Sequence, residues 1–185
     1  IFIDVFEPLS RNILKELFKK YWLNKYVQKC IVPGRRQKAY ALNLGIKNEN
    51  IFKVPFSINK DYYRHENETW LSDYFLCVAR LSPEKNIFHL LYEYKNYYMN
   101  GGNKLLKIAG TGPEENSIKN EIKKLGLESK VVLLGWMEPE ALIDIYKAAF
   151  AFILVSKYEP WGVSVSEAIA SNLPLILSNN IGALE

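Results

Sequence analysis

Two carboxylates and two cations carry the chemistry of this sequence. Glu159 and Glu167 lie in the stretch Glu159-Pro-Trp-Gly-Val-Ser-Val-Ser-Glu167, separated by seven residues. The apolar run Phe150 to Val155 reads as a strand that delivers Glu159, and Glu167 is expected in the first turn of a helix starting near Val163. Each has a plainer reading alone: Glu167 as a partner of the helix macrodipole, Glu159 as a surface acid. Together, strand, acid, tight Gly turn, helix N-terminus and acid describe the crevice where open α/β sheets bind ligands. Free N–H groups after Gly162 suit phosphate, and carboxylates suit sugar hydroxyls.

Arg80 and Lys85 stand five positions apart in Val-Ala-Arg-Leu-Ser-Pro-Glu-Lys-Asn, Val78 to Asn86. Across a strand-to-helix turn both can face one crevice and, with helix N–H groups, hold a phosphate-borne negative charge without a metal. No Asp-x-Asp is available to hold Mg²⁺ on a diphosphate, and no metal site is expected. Gly110-Thr111-Gly112-Pro113 follows another strand; a lone G-x-G is weak, and a tight strand-to-helix turn explains it equally well. Trp136 and Met137 follow a third strand, where they can edge a pocket or simply pack.

The elements that must position these residues alternate strand and helix with short loops, which implies a parallel sheet covered on both faces. Strands are expected at Tyr74 to Val78, Leu105 to Ala109, Lys130 to Leu134, Phe150 to Val155 and Leu175 to Leu177. Helices are expected from Pro83 to about Tyr98, capped by Ser82, from Pro113 to Leu125, stopped by Gly126, and from Pro139 to Ala149. Upstream, a helix from about Ser10 carries Leu14, Leu17, Phe18 and Tyr21 at helical spacing, followed by a strand at Cys30 to Val32, a helix at Gln37 to Leu44 and a strand at Ile51 to Val54. Ser57 to Asp73 is polar and unpatterned and reads as a linker.

Charge divides the chain. Residues 1–70 carry 13 Lys/Arg against 7 Asp/Glu, a balance of +6, and residues 71–185 carry 11 against 13, a balance of −2, which together give the +4 net charge. The first helix bears lysines around its apolar stripe, together with Trp22 and Tyr26. An ordinary surface helix with a core-facing stripe is the preferred reading, because Lys25 interrupts the apolar arc; contact with an anionic membrane is the alternative. No recognition-helix pattern accompanies the charge, so nucleic acid is not an expected partner. With 49% hydrophobic residues the 185-residue chain can bury a sizeable core, and no apolar run approaches a membrane span. Cys30 and Cys77 sit in apolar runs and read as buried thiols of a reducing compartment; His65 and His89 have no partner pattern.

Four motifs in order carry a resemblance. Val78 to Asn86, Ile-Ala-Gly-Thr-Gly-Pro at Ile108 to Pro113, Val-Val-Leu-Leu-Gly-Trp at Val131 to Trp136, and Glu159 to Ser178 resemble the family 4 retaining glycosyltransferases with their E-x7-E segment. The resemblance implies an α/β fold of the GT-B type: a Rossmann-like parallel sheet with helices on both faces, here truncated. Residues 71–185 would be the donor-binding domain, and residues 1–70 the end of the acceptor-side domain plus linker. It implies a hexosyl transfer from a nucleoside-diphosphate sugar to a hydroxyl on a saccharide or lipid-linked acceptor, in surface polysaccharide or glycolipid synthesis, without cofactor. Location would be cytoplasmic, with the inner face of the membrane as the alternative that the basic first helix offers. The alternatives are another GT-B enzyme, such as a nucleotide-sugar epimerase, and a non-catalytic nucleotide-sugar-binding module.

Residue by residue, the resemblance makes Glu159 the catalytic-site acid facing the donor sugar, either nucleophile or orienting group. It makes Arg80 and Lys85 the diphosphate clamp, Gly110 and Gly112 a backbone-lined loop, and Trp136 and Met137 a base platform. Trp161, Gly162 and Val163 would offer N–H groups, and Glu167 would bind the ribose diol. Thr111 stands where the family more often has an acid. Ile1 is no initiator and the chain ends soon after a strand, so a piece of a longer enzyme is expected, unable to transfer sugar alone, and Leu184-Glu185 carries no weight.

Overall fold

A computed structural model describes residues 13–63 and 72–184. The expected apolar run at Ile1 to Phe6, the helix start at Ser10, His65 and the middle of the expected linker lie outside the described residues. The chain forms two compact units, one drawn from Ile1–Ser57, Pro160–Gly162 and Gly182–Glu185, the other from Ile58–Glu159 and Val163–Ile181.

The first unit holds α1 (Ile13–Tyr26), β1 (Cys30–Val32), α2 (Arg35–Asn43) and β2 (Ile51–Lys53), with β1 and β2 paired in parallel. Its core gathers Leu23, Cys30, Val32, Tyr40, Ala41, Leu44 and Ile46. Gly45 takes φ +91 beside the Asn24 side chain, whose amide donates to the Leu44 carbonyl, so a side chain at 45 would meet that amide. The expectation of a core-facing stripe on α1 is corrected. Leu14, Leu17, Phe18 and Tyr21 are exposed, and Leu23 is the helix residue that enters the core.

The second unit is a five-stranded parallel sheet in the order β5-β4-β3-β6-β7. Its strands are β3 (Tyr74–Val78), β4 (Leu105–Ala109), β5 (Val131–Gly135), β6 (Ala151–Leu154) and β7 (Leu175–Leu177). The central strand β3 and its neighbour β6 are almost continuously buried, which explains why they read as unbroken apolar runs rather than alternating ones. The flanking helices are α3 (Lys60–Tyr63), α4 (Ile87–Met99), α5 (Glu115–Leu125), α6 (Pro139–Lys147) and α7 (Val163–Ala170). They pack in two groups, α4 with α5 and α3 with α6 and α7. Gly126 ends α5 at φ +70, with Lys123 and Lys124 in the last turn, as the sequence predicts.

One expected helix is two pieces. Pro83–Lys85 forms a single 3-10 turn, Asn86 takes a left-handed conformation at φ +59, and α4 begins only at Ile87. The Asn86 side-chain amide donates to the Val155 carbonyl at 3.3 Å, and asparagine tolerates this backbone region better than most residues. Ser82 does not cap a backbone N–H; its hydroxyl donates to Glu84 Oε1 at 2.6 Å.

Candidate functional site

Strand order places the site. The chain runs from β3 outward through β4 to β5, then crosses back to lay β6 on the other side of β3. Loops leaving the C-terminal ends of β3 and β6 therefore diverge to open a crevice, the position where such sheets bind ligands. Arg80 and Lys85 lie beyond the end of β3, and Glu159 lies beyond the end of β6.

The structure brings Lys85 and Glu159 together. Lys85 Nζ donates to Glu159 Oε2 in an ion pair whose side chains are only 14% and 11% exposed. The 3-10 turn aims the lysine, and Lys157 N–H donates to the Glu84 carbonyl at 2.8 Å, tying that turn to the loop after β6. Glu159 N–H donates to the Asn180 carbonyl at 3.1 Å, and a bridge to Ile181 fixes the backbone that bears the carboxylate. Arg80 is exposed and lies near enough to Glu84 to help lower that carboxyl below its usual range, after the larger effects of the Ser82 hydroxyl, the local backbone N–H and Lys85.

Gly110 and Gly112 are required by a close backbone approach. Leu81 N–H donates to the Thr111 carbonyl, Glu114 N–H donates to the Leu81 carbonyl, and Gly110 N–H donates to the Gly135 carbonyl at 2.7 Å. A side chain at 110 would collide with the Ala79 carbonyl and one at 112 with the Leu81 carbonyl; Gly110 also has φ +129. The loop thus fixes the path of the Arg80 segment, and the Gly110 N–H is spent inside the protein. Trp136 is 66% exposed at the end of β5, with Met137 half-buried after it.

Val163 opens α7 and is exposed. Glu167 does not stand in the first turn of α7, correcting the expectation; it is the fifth residue of the helix, beyond the reach of a macrodipole partner. Its carboxylate instead accepts hydrogen bonds from two phenols, Tyr63 at 3.0 Å on Oε1 and Tyr146 at 2.9 Å on Oε2. Neither tyrosine stands out in sequence, since an aromatic at helical spacing reads as core. Trp161 and Gly162 belong to the first unit. There the Trp161 ring lies 5.8 Å from that of Phe56, its carbonyl accepts from Ala183 N–H at 2.7 Å, and Gly162 takes φ +90. In the same unit Gln37 Nε2 donates to the Pro160 carbonyl.

Two hollows in the second unit lie elsewhere, one of about 580 Å³ lined by Ile58, Lys60, Ser166, Ile169, Ala170 and Asn172, and an apolar one of about 260 Å³ between α4 and the edges of β6 and β7. None of the residues assigned to the site lines either. Among the described residues, no helix is long and apolar enough to cross a membrane.

Known proteins resemble this arrangement. An uncharacterized glycosyltransferase of Methanocaldococcus jannaschii is 33% identical over 177 residues, covering 96% of this chain and 43% of the relative. The alpha-monoglucosyldiacylglycerol synthase of Streptococcus pneumoniae is 28% identical over 169 residues, 91% of this chain and 36% of its own length. The chain therefore spans less than half the length of either. The crystal structure of HepE from Anabaena, in complex with UDP and glucose, superposes with a TM-score of 0.84 at 16% identity, over 99% of this chain and 53% of that one. It shares the fold. Residues 59–185 match the family model for glycosyl transferases group 1, and the chain belongs to that family, with the GT-B type of α/β fold.

Proposed function

We propose that the second unit is the donor-binding part of a retaining glycosyltransferase that moves a hexosyl unit from a nucleoside-diphosphate sugar to a hydroxyl acceptor. The observation that carries this reading is the Lys85–Glu159 pair at the strand crossover, with Arg80 on the same loop as the lysine. Breaking the bond between anomeric carbon and diphosphate leaves growing negative charge on phosphate oxygens. Lys85 and Arg80 supply fixed positive charge to that leaving group, which lowers the barrier without a metal ion. Glu159, held by its backbone and by Lys85, accepts hydrogen bonds from donor-sugar hydroxyls and orients the ring. In a front-face mechanism the acceptor hydroxyl approaches from the leaving-group side, so Glu159 is assigned an orienting role and no protein nucleophile is needed. Glu167 receives the ribose diol, while Trp136 and Met137 lie beside the base. The backbone N–H of Val163 serves sugar or phosphate.

The HepE complex with UDP and glucose supports a nucleotide-sugar donor, and the lipid glycosyltransferase among the relatives supports a saccharide or lipid-linked acceptor in polysaccharide or glycolipid synthesis. The first unit is assigned to the acceptor side. The exposed apolar and aromatic face of α1, with Lys19, Lys20 and Lys25, suits an anionic membrane surface reached from the cytoplasm. NMR titration with UDP, GDP and the parent nucleosides tests the donor site: diphosphate-dependent shifts at Arg80 and Lys85 are expected, and their absence with both nucleotides refutes the reading. The full-length enzyme should give product with the donor's anomeric configuration.

A further inference from the structure

The carboxylate of Glu167 on α7 is gripped from two sides. Tyr63 on α3 donates to Oε1 at 3.0 Å, and Tyr146 on α6 donates to Oε2 at 2.9 Å. The Tyr146 hydroxyl has a second, longer acceptor in the Ser164 carbonyl at 3.2 Å, so its single proton favours the carboxylate. Tyr146 is wholly buried and stacks on Phe152 of β6, with centroids 5.8 Å apart and planes 30° apart. Tyr63 meets the Tyr146 ring edge-on at 5.8 Å and 78°. The three rings pack in succession, Tyr63 edge-on to Tyr146 and Tyr146 stacked on Phe152, so each phenol is braced by a neighbouring ring.

A carboxylate has about four lone-pair positions. One phenol on each oxygen leaves acceptor capacity on each oxygen as well. Because both oxygens are fixed, that remaining pair is presented in a single plane, which suits the two hydroxyls of a vicinal diol. A glutamate free on a helix surface would have to be immobilised on binding; here the fold has already done so. Burial, and then the neighbouring carboxylate, push the Tyr63 phenol up to about 12 and that of Tyr146 well above its ordinary value, so both remain donors at neutral pH.

We infer that Tyr63 and Tyr146 are positioning residues for nucleotide recognition, holding Glu167 in the orientation in which it accepts both ribose hydroxyls. The inference rests on the reading of Glu167 as the ribose ligand. It also gives α3, a four-residue helix without a site residue of its own, a specific part in the donor site.

The test compares UDP and GDP with their 2′,3′-dideoxy counterparts by calorimetry on the unaltered chain, Tyr63→Phe and Tyr146→Phe, with thermal melting to confirm folding. The unaltered chain should prefer the better-bound diphosphate over its dideoxy form by about tenfold or more, and each Phe variant should lose about three- to tenfold in affinity for the diphosphate. Affinity for the dideoxy form should stay within about twofold, since the lost bond acts through the diol. A merely structural role would weaken both ligands alike, and that result overturns the inference, as does retention of full discrimination in both variants. If the unaltered chain fails to discriminate, or binds neither diphosphate, the ribose assignment itself falls and the inference with it. Should Tyr146→Phe not fold, Tyr63→Phe carries the test, because its half-buried ring remains in place.

Discussion

Lys85 and Glu159, 74 residues apart in the chain, form a nearly buried ion pair across the point where the parallel sheet reverses its direction of growth. The cation proposed for phosphate and the acid proposed for the donor sugar are thus in direct contact with each other. The pairing offsets part of the cost of keeping each charge out of water. It also fixes the loop after β3 relative to the loop after β6, and under the proposed function that is the relation between leaving group and sugar on which transfer depends.

The pair should matter to stability asymmetrically. Lys85→Met leaves Glu159 as an uncompensated, largely buried charge and should cost about 2–4 kcal/mol. The double variant Lys85→Met/Glu159→Gln should be destabilised by less than the sum of the single changes, because no lone charge remains. Urea unfolding midpoints of the four proteins measure this, and additive effects would mean that the pair is not coupled in solution.

Phosphate recognition should separate from recognition of the nucleoside. A charged hydrogen bond is worth about 1.5–3 kcal/mol, so Arg80→Ala/Lys85→Ala should weaken nucleoside diphosphate binding by tens-fold or more while leaving the nucleoside nearly unchanged. Chelation with EDTA should leave binding of the diphosphate intact. Equal losses for both ligands, or binding abolished by EDTA, would refute the metal-free clamp.

Glycine is demanded at 110 for two reasons and at 126 for one. Gly110→Ala meets both the Ala79 carbonyl and an unfavourable positive φ, and should cost roughly 2–4 kcal/mol. Gly126→Ala has the φ penalty alone, with no atom within 4 Å of the added carbon, and should cost about 1–2 kcal/mol. Thermal melts of the two variants give the comparison; equal losses would remove the argument from close packing.

Cys77 should be inert and should make stability fall in alkali. Complete burial pushes its thiol up to about 12 from an ordinary value of 9.0, against the smaller, opposing effect of Lys85. The folded state therefore keeps a proton that the unfolded chain gives up above pH 9. Stability from this group is fully present below pH 9 and is lost as pH rises toward 12. Tyr63, Tyr74 and Tyr94, each raised to about 12 chiefly by burial, add to the same decline. Denaturant titrations from pH 8 to 11 should show Cys77→Ala with a shallower fall, and Cys77 should resist alkylation at pH 8 until the protein unfolds.

Much of the sheet was legible in the sequence because its strands are buried in short apolar runs between turn residues. The bounds of β3, β4 and β7 coincide with those runs, and the site motifs lie on the loops that follow strands. Gly110 and Gly112 were recognisable as a turn, though their need for close backbone approach depends on the Ala79 and Leu81 carbonyls of another loop. Local pattern could not show that Asn86 would break the helix, since its side chain bonds to Val155, 69 residues away. Nor could it place Glu167, whose two phenols come from positions 104 and 21 residues distant. The first helix misled for a related reason: a 3.6-residue period marks an apolar face, but whether that face is covered depends on what packs against it. Residue types and their spacing thus determined the strands, the loops and the chemistry available on them. Which charges meet, and which carboxylate is held by which hydroxyls, was decided by the tertiary structure, because those contacts join elements that share no local sequence period.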